Sequence, residues 1–333
     1  MAKKNPKVSV IIPRFLQMEC SATKKFPYFT PFVPLKECIE SVKNQDYKNK
    51  EIIFTKETHP KGTGAIRNEA IKKATGDIIL CICPDSVMVG KNCISNFVKV
   101  FNERDVDVVV GSSIPSKKLS SPFVYLLTLE YAERERNMGE GYTNAGATSY
   151  FAIKKDVLKK IGGFPLRSPA INTGNPLFDS GFPDWDICGI LVEKGYKIWH
   201  TNKAKFYHIY QTDAISYFKK QMMQTWYRVA YLKRFKVVKE GYISNKIIVQ
   251  PFLFLLLPVW LALGLLIPSG IWPAAFLLNL LAILFWDVSS VLSFYKKTKN
   301  WKVALLFPIS FIRSFSWLFG VIKGIIDFYI LKA

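Results

Sequence analysis

Two long apolar runs near the end of the chain restrict its fold more than any other feature. Residues 247–267 carry no charged side chain, and residues 271–294 carry only Asp287. A helix needs about 20 such residues to cross a hydrocarbon core roughly 30 Å thick, and lipid admits only helices and closed barrels. The three residues between the runs are few enough to force a helical hairpin. We therefore predict a membrane domain over residues 247–333, with helices at about 247–267, 271–294 and 303–331.

The orientation of this membrane domain follows from the basic segment between the second and third helices. Residues 296–302 contain four lysines, and lysine accumulates on the cytoplasmic side of membranes. We therefore expect a multi-pass protein of the cell membrane, with the soluble part of the chain on the cytoplasmic side. The third run contains Arg313, Lys323 and Asp327. It is therefore expected to span, to lie in the interface or to form a broken pair of helices, and the sequence leaves these alternatives open.

The charge of the soluble part argues against a nucleic-acid partner. The formal net charge is +21, but the lysines are scattered along the chain, whereas nucleic-acid-binding proteins usually concentrate them in one arm or stripe. Scattered positive charge beside membrane helices favours anionic membrane lipid as the partner instead. The six cysteines lack the paired spacing of a zinc site and are expected to be reduced, mostly buried thiols. The oligomeric state stays unknown.

Residues 1–212 show the alternation of short apolar strands and helices that is typical of an α/β domain. Strands are predicted at 8–12, 51–54, 77–83, 106–110, 145–153, 197–200 and 204–208. Helices are predicted from residue 35 and at 65–74, 91–103, 122–137, 155–161 and 184–194. Such units join through right-handed crossovers into a doubly wound, mostly parallel, Rossmann-like sheet, with ligands at the carboxyl ends of its strands. Residues 213–246 are predicted to form an amphipathic interfacial helix, 214–234, and a linker.

A series of short motifs runs through this domain in a fixed order. They are VSVIIP at 8–13, LKECIESV at 35–42, QDY at 45–47, EII at 51–53, AIRN at 65–68, ATGDII at 74–79, GGF at 162–164, DWDI at 184–187 and KGY at 194–196. Together they resemble the family 2 glycosyltransferases of the GT-A fold over nearly all of residues 7–235. The resemblance implies a hexosyltransferase that moves a sugar from a nucleotide donor to an acceptor hydroxyl or phosphate.

The resemblance also implies a divalent cation, Mn²⁺ or Mg²⁺, at the end of the third strand. The family has an Asp-X-Asp there, whereas this chain has Cys83, Pro84 and Asp85, so one carboxylate is missing. Asp85 remains to bind a hard cation, which prefers oxygen ligands. An aspartate after proline is also an ordinary turn residue. His208 stands where some relatives place a metal-binding histidine, and a structural histidine is the alternative.

Donor contacts are implied at several strand ends and helix starts. The residues assigned to donor binding are Pro13, Glu57, Arg67, Asp85 and Asp186. In the family the second strand ends in an acidic pair that contacts the base or ribose, but here Lys56 precedes Glu57, which leaves the identity of the base open. Arg67 is expected near a helix N-terminus that faces the diphosphate, an arrangement that favours anions. A solvated arginine on the helix surface is the alternative.

The catalytic base of the family is the aspartate of a Glu-Asp pair that opens a helix beneath the acceptor. Pro183 and Asp184 occupy that place here, so Asp184 is the expected base. The alternative is that Asp184 and Asp186 only complement the helix dipole. A later segment resembles a weak version of one that closes over the donor in processive relatives, and a membrane-interface role explains it equally well. Its candidate residues are Gln221, Gln224, Trp226 and Arg228.

These features together predict a membrane-bound glycosyltransferase of cell-envelope glycan or glycoprotein biosynthesis. Its donor would be a cytoplasmic nucleotide sugar, and its acceptor a polyprenyl phosphate or a lipid-linked saccharide, because the membrane domain holds the site near lipid. Two alternatives remain. One is a catalytically degenerate scaffold subunit, since the donor-site motifs are altered. The other is a polysaccharide synthase, although such enzymes generally need more transmembrane helices than two or three.

Overall fold

The computed structural model describes residues 5–14, 35–56, 62–114, 135–171, 183–208, 214–236, 245–267 and 269–331. Within these ranges the soluble part is an α/β domain, followed by long helices. The strands are β1 Val8–Arg14, β2 Lys50–Lys56, β3 Ile78–Ile82, β4 Ser86–Met88, β5 Val108–Ile114, β6 Gly141–Thr143, β7 Tyr150–Lys154 and β8 Ile198–His208. The helices of the soluble domain are α1 Leu35–Lys43, α2 Gly62–Lys73, α3 Cys93–Glu103, α4 Lys155–Lys160 and α5 Pro183–Glu193.

One mixed sheet contains all the described strands. Its order is β2-β1-β3-β7-β5-β8-β4, and β6 pairs with β8 away from this path. β1 runs parallel to β2 and β3, and β5 runs parallel to β8, but β7 is antiparallel to both of its neighbours. The expectation of a mostly parallel sheet is therefore corrected: β7 inserts in the opposite direction, and β4 and β6 add antiparallel pairs. The apolar pattern of a strand indicates that the strand is buried, but it does not show whether the strand runs parallel or antiparallel to its neighbours.

The centre of the sheet is buried on both faces, as the continuous apolar runs of its strands predict. Every side chain of β3 is buried, and so are Val108, Val109 and Val110 on β5. The two predicted strands before residue 208 form one strand, β8, because its second half continues the pairing with β5 beyond an irregularity after Val110. Five cysteines fall within the described residues, and all five are free thiols, mostly buried.

Four long helices follow the sheet. They are α6 Ala214–Phe235, α7 Asn245–Leu266, α8 Ile271–Thr298 and α9 Leu306–Ile325, with a 3-10 turn at Trp301–Leu305 and a π-helical turn at Ile326–Ile330. Within the described ranges, three segments are long and apolar enough to cross a membrane, namely Val249–Leu266, Ile271–Ser293 and Trp301–Ile330. The first two are less than a fifth buried within the protein, whereas the third is 47% buried. The third segment therefore has a different environment from the α7–α8 hairpin.

A buried polar cluster joins the three C-terminal helices. Gln250 of α7 donates from Nε2 to Asp287 Oδ1 of α8 over 2.8 Å, and Ser310 Oγ of α9 donates to the same oxygen over 2.8 Å. Arg313 Nη2 then donates to Ser310 Oγ over 2.8 Å. Polar side chains bond across helices in this way because an apolar surrounding offers them no water. The cluster fixes the start of α9 against the hairpin.

The rest of α9 packs lengthwise on α6. Trp317 Nε1 donates to Gln221 Oε1 over 2.9 Å, and Trp226 Nε1 donates to Asp327 Oδ2 over 2.7 Å. The helices approach closely at Gly320, where an added Cβ would lie 2.5 Å from the carbonyl oxygen of Met222. Much of the surface of the predicted interfacial helix is therefore covered by α9.

Candidate active site

The candidate site lies where the parallel strands β1, β2 and β3 end. Pro13 of β1 is in register with Thr55 of β2, and Cys83 directly follows β3 at the same edge of the sheet. The hydroxyl of Thr55 is buried and has no hydrogen-bond partner among the described residues. This is the edge at which the sequence predicted the donor. Glu57, the predicted contact to base or ribose, lies outside the described residues.

Asp85 and His208 meet at this edge. Ser86 pairs with His208 across β4 and β8, and His208 Nε2 lies 3.8 Å from Asp85 Oδ1 and 3.2 Å from the hydroxyl of Ser149. The Asp85 oxygen is buried and accepts no hydrogen bond from a described residue. The structure thus brings together the two side chains that the sequence proposed as metal ligands.

These two side chains fit a divalent cation, with a limited number of protein ligands. A separation of 3.8 Å exceeds a hydrogen bond, yet both atoms can bind one ion because metal–ligand distances are about 2.0–2.2 Å. Within the described ranges no group of three or more His, Cys, Asp or Glu side chains is placed to hold a metal. A cation here would take its other ligands from a diphosphate and water, as Mg²⁺ usually does.

Asp184 and Asp186 have different surroundings although both belong to the first turn of α5. Asp184 is partly exposed and accepts a hydrogen bond from the hydroxyl of Thr148. Asp186 is fully buried and accepts hydrogen bonds from Ser168 and from the hydroxyl of Tyr227 on α6. Burial raises the pKa of Asp186 to about 6, against the opposing effect of these hydrogen bonds. Asp184 therefore remains the candidate base, and the burial of Asp186 does not favour the predicted donor contact.

Arg67 is buried at the same edge of the sheet. It is 4% exposed, lies over the ring of Phe164 at 5.2 Å, and donates weakly from Nη2 to Cys83 Sγ over 3.7 Å. Its Nε and Nη1 have no hydrogen-bond partner among the described residues. Burial alone lowers the pKa of this guanidinium, but Cys83, Cys81 and Asp184 together raise it above its usual value. The helix α2 begins at Gly62, so its N-terminus lies about one turn before Arg67. It is the side chain of Arg67 that reaches the site.

The four predicted donor-closing residues point in different directions. Gln221 and Trp226 are buried against α9 through the hydrogen bonds described above. The guanidinium of Arg228 lies 4.8 Å from the ring centre of Trp185, the neighbour of Asp184 on α5. Gln224 is partly buried. Packing on α9 thus accounts for two of these residues.

Three residues at the site were absent from the sequence-based prediction. Thr148 and Ser149 precede β7 and bond Asp184 and His208. Lys220 of α6 is partly buried, and the carboxylates of Asp85 and Asp184 act on its ammonium group. Burial lowers the pKa of Lys220, and the two carboxylates oppose that effect. Its local sequence contained no signal, because the carboxylates that act on it come from distant segments of the chain.

Comparison with known proteins tests the family resemblance of this domain. Residues 54–162 match the model of the glycosyl transferase family 2, which confirms the resemblance drawn from the motifs. The chain is 21% identical over 154 residues to the O-antigen chain rhamnosyltransferase WbaN of Salmonella anatum, covering 44% of this chain and 45% of that protein. It is 34% identical over 74 residues to the uncharacterized glycosyltransferase MJ1057 of Methanocaldococcus jannaschii, covering 22% of this chain and 26% of that protein. The chain thus spans less than half the length of either relative.

A solved structure extends the likeness over the long C-terminal helices. The mannosyltransferase PcManGT from Pyrobaculum calidifontis, determined in complex with GDP-Man and Mn²⁺, superposes with a TM-score of 0.58 and 16% sequence identity. The match covers 97% of this chain and 88% of that protein. At this identity the likeness establishes the fold, which is the predicted GT-A fold.

Proposed function

We propose that this chain, which carries a glycosyl transferase family 2 domain of the GT-A fold, transfers a sugar from a nucleotide donor to a lipid-borne acceptor. The observation that carries the proposal is the meeting of Asp85, His208, Asp184 and Arg67 at one edge of the sheet. The acceptor is a polyprenyl phosphate or a lipid-linked saccharide at the cytoplasmic membrane surface. The membrane-length helices support this acceptor class, because they hold the domain beside lipid.

The acid–base chemistry is assigned to Asp184. For a hydroxyl acceptor, its carboxylate takes the proton as the oxygen attacks the anomeric carbon, and the bond from that carbon to the diphosphate breaks. Thr148 donates to Asp184 and so orients the carboxylate. An acceptor phosphate is already ionised and needs no base.

The leaving group is a nucleoside diphosphate, whose charge must be stabilised as it departs. Asp85 and His208 are the residues that would hold a divalent cation, and a bound cation would neutralise part of that charge. Arg67 supplies a buried positive charge, and its Nε and Nη1 have no hydrogen-bond partner among the described residues. We assign the nucleoside end of the donor to the hydroxyl of Thr55, which is buried and has no hydrogen-bond partner among the described residues.

The relatives support a hexose or deoxyhexose as the transferred group. One is named an O-antigen chain rhamnosyltransferase, and another is a mannosyltransferase solved with GDP-Man and Mn²⁺. A screen of nucleotide sugars against the purified full chain in detergent, with Mn²⁺ and lipid acceptors, tests the proposal. Transfer or hydrolysis of one donor is the expected result.

The matched variants for this test are Asp184→Asn and Asp156→Asn. With a saccharide acceptor, Asp184→Asn should lower transfer by roughly 10²- to 10⁴-fold and leave binding of the nucleoside diphosphate unchanged. Asp156 is exposed on α4, so its variant should behave as the wild type. Saccharide transfer that survives both Asp184→Asn and Asp85→Ala would refute the site. Absence of turnover and of nucleotide binding in the wild type would favour a scaffold subunit.

A further inference from the structure

We propose that Lys220 binds the diphosphate of the donor, opposite Arg67, and that this pair of cations lets the site bind nucleoside diphosphates without a divalent cation. This inference rests on the proposed function. It adds to that function a ligand residue from α6 and a weaker dependence on metal.

The position of Lys220 on α6 directs it toward the soluble domain. Tyr217, one turn earlier, is 1% exposed, and Tyr227, two turns later, donates to Asp186 in the first turn of α5. Residues three, four or seven apart share one face of a helix. Gln221 and Trp226, which lie on another face, contact α9. Lys220 therefore lies on the face of α6 that covers the candidate site.

Among the described residues, the charges that act on Lys220 belong to the candidate site. They are the carboxylates of Asp85 and Asp184. The neighbouring Lys219 is exposed to solvent. A lysine is costly to bury without compensating charge, and the two carboxylates supply part of that compensation.

Arg67 approaches the same groups from α2. Its guanidinium is acted on by Asp184 and Cys83, and Nη2 reaches Cys83 Sγ. Asp184 thus acts both on a cation from α2 and on a cation from α6. Two cations on two different elements are the arrangement that clamps a diphosphate from both sides.

The altered motif at the end of β3 explains why such a clamp matters. A thiol at Cys83 replaces a carboxylate, and thiols are poor ligands for hard cations. Asp85 and Asp184 are balanced by Arg67 and Lys220, so the site does not repel an anion before a metal binds. If the strand end carried two carboxylates and α6 carried no lysine, these carboxylates would repel the diphosphate, and a cation would be needed to overcome that repulsion.

Binding of UDP and GDP to the full chain in detergent micelles tests the inference, measured by calorimetry with Mn²⁺ and with EDTA. The wild type should bind one of them in EDTA within about 10-fold of its affinity in Mn²⁺. Lys220→Gln should weaken binding by about 10- to 100-fold, and more strongly in EDTA, because a charge-assisted contact to phosphate is lost. Lys220→Arg should restore most of the affinity, and Lys219→Gln should leave it unchanged.

Each other outcome overturns a stated part of the inference. If Lys220→Gln and Lys219→Gln bind equally well, Lys220 is not a diphosphate ligand, while the proposed transferase activity is unaffected. If EDTA abolishes wild-type binding, the metal-sparing role is wrong. If the wild type binds no nucleoside diphosphate of any base, with or without Mn²⁺, the inference and the proposed function both fail. An unchanged melting temperature for Lys220→Gln shows that any weakened binding is not a folding defect.

Discussion

Glu51 shows how one side chain organises the edge of the sheet opposite the candidate site. It lies on β2 in register with Ser9 of β1, whose hydroxyl donates to it. Thr75 donates from its backbone N–H over 2.7 Å, and the ammonium of Lys7 lies 2.9 Å away. Burial tends to raise the pKa of Glu51, but these donors outweigh it and hold the pKa at about 2. The charged carboxylate therefore stabilises the folded state.

We predict that Glu51→Gln lowers the free energy of unfolding by about 1 to 2 kcal/mol at neutral pH, allowing for solvent screening of this partly exposed group. The folded-state pKa is depressed, so the contribution is full above the unfolded value of 4.5 and is lost as the pH falls toward 2. Thermal unfolding of the full chain in detergent, followed between pH 7 and pH 3, measures it. The wild type and the variant should converge as the pH falls.

The control for this prediction is Glu69→Gln, since Glu69 is exposed on α2. It should unfold at the wild-type temperature throughout the pH range. A constant gap between Glu51→Gln and the wild type, independent of pH, would mean that the charge of Glu51 is not the source of the stability.

Residue-scale roles were predictable from the sequence only where local spacing determines them. The motif around Asp184 places two acids in the first turn of a helix, and both appear equivalent there. Their difference arises from Tyr227, 41 residues beyond Asp186 in sequence, which buries one acid and not the other. For the same reason the sequence did not identify Lys220, because its partners Asp85 and Asp184 come from distant segments.

At the scale of elements, the pairing of α6 with α9 is the main feature that joins the soluble domain to the C-terminal helices. Contacts recur at nearly constant separations, 96 residues from Gln221 to Trp317 and 95 from Lys233 to Phe328. The two helices therefore run side by side in the same direction. Gly320 and Gly324, spaced four apart, allow this close approach, as small residues do at helix interfaces.

We predict that Gly320→Ala destabilises the protein by about 1 to 3 kcal/mol, because its Cβ would lie 2.5 Å from the carbonyl oxygen of Met222 and would separate the helices. The intrinsic preference of alanine for helices acts in the opposite direction. Gly264→Ala on α7 is the matched control, since its Cβ would lie 3.7 Å from the nearest atom and should be neutral or slightly stabilising. Melting temperatures in detergent distinguish the two variants. Equal behaviour would show that α6 and α9 are not in close contact.

The order of elements was largely predictable from local periodicity, whereas their partners were not. The apolar runs identified β1, β2 and β3, and the lengths of the apolar helices identified α7 and α8. The direction of β7 and the pairing of α9 with α6 depend on contacts between segments far apart in sequence. The sequence pattern of a segment indicates how much of it is buried, but only tertiary packing determines which other segments it packs against.

At the scale of the whole molecule, the packing of α9 bears on how many times the chain crosses the membrane. α6 carries five basic residues and is fixed to the soluble domain by Tyr227. The contact between α6 and α9 extends for about 18 Å, since helices rise 1.5 Å per residue. Two helices packed side by side over this length lie at the same depth in the membrane. A charged helix of this kind belongs to the membrane surface and not to the hydrocarbon core. We therefore infer two spans, α7 and α8, with α9 lying in the interface.

This inference predicts which side of the membrane the end of α9 occupies. Tyr329 is 55% exposed in the π-helical turn that follows α9. With two spans, a cysteine introduced as Tyr329→Cys lies on the same side as the soluble domain; with three spans, it lies on the opposite side. Labelling of intact cells and of inverted vesicles with a membrane-impermeant maleimide shows on which side the cysteine lies. The labelling of the natural cysteines in the unsubstituted protein is the background.

Two further cysteine variants calibrate the labelling. Ser269→Cys lies in the short link between α7 and α8, and Lys299→Cys lies directly after α8, so they mark opposite sides in either arrangement. Tyr329→Cys should follow Lys299→Cys, with reaction in inverted vesicles and protection in intact cells. Reaction together with Ser269→Cys would establish a third span. In that case α9 would have to separate from α6 in the membrane, because Trp317 and Gln221 could not keep their hydrogen bond while one helix crosses the bilayer and the other lies on it.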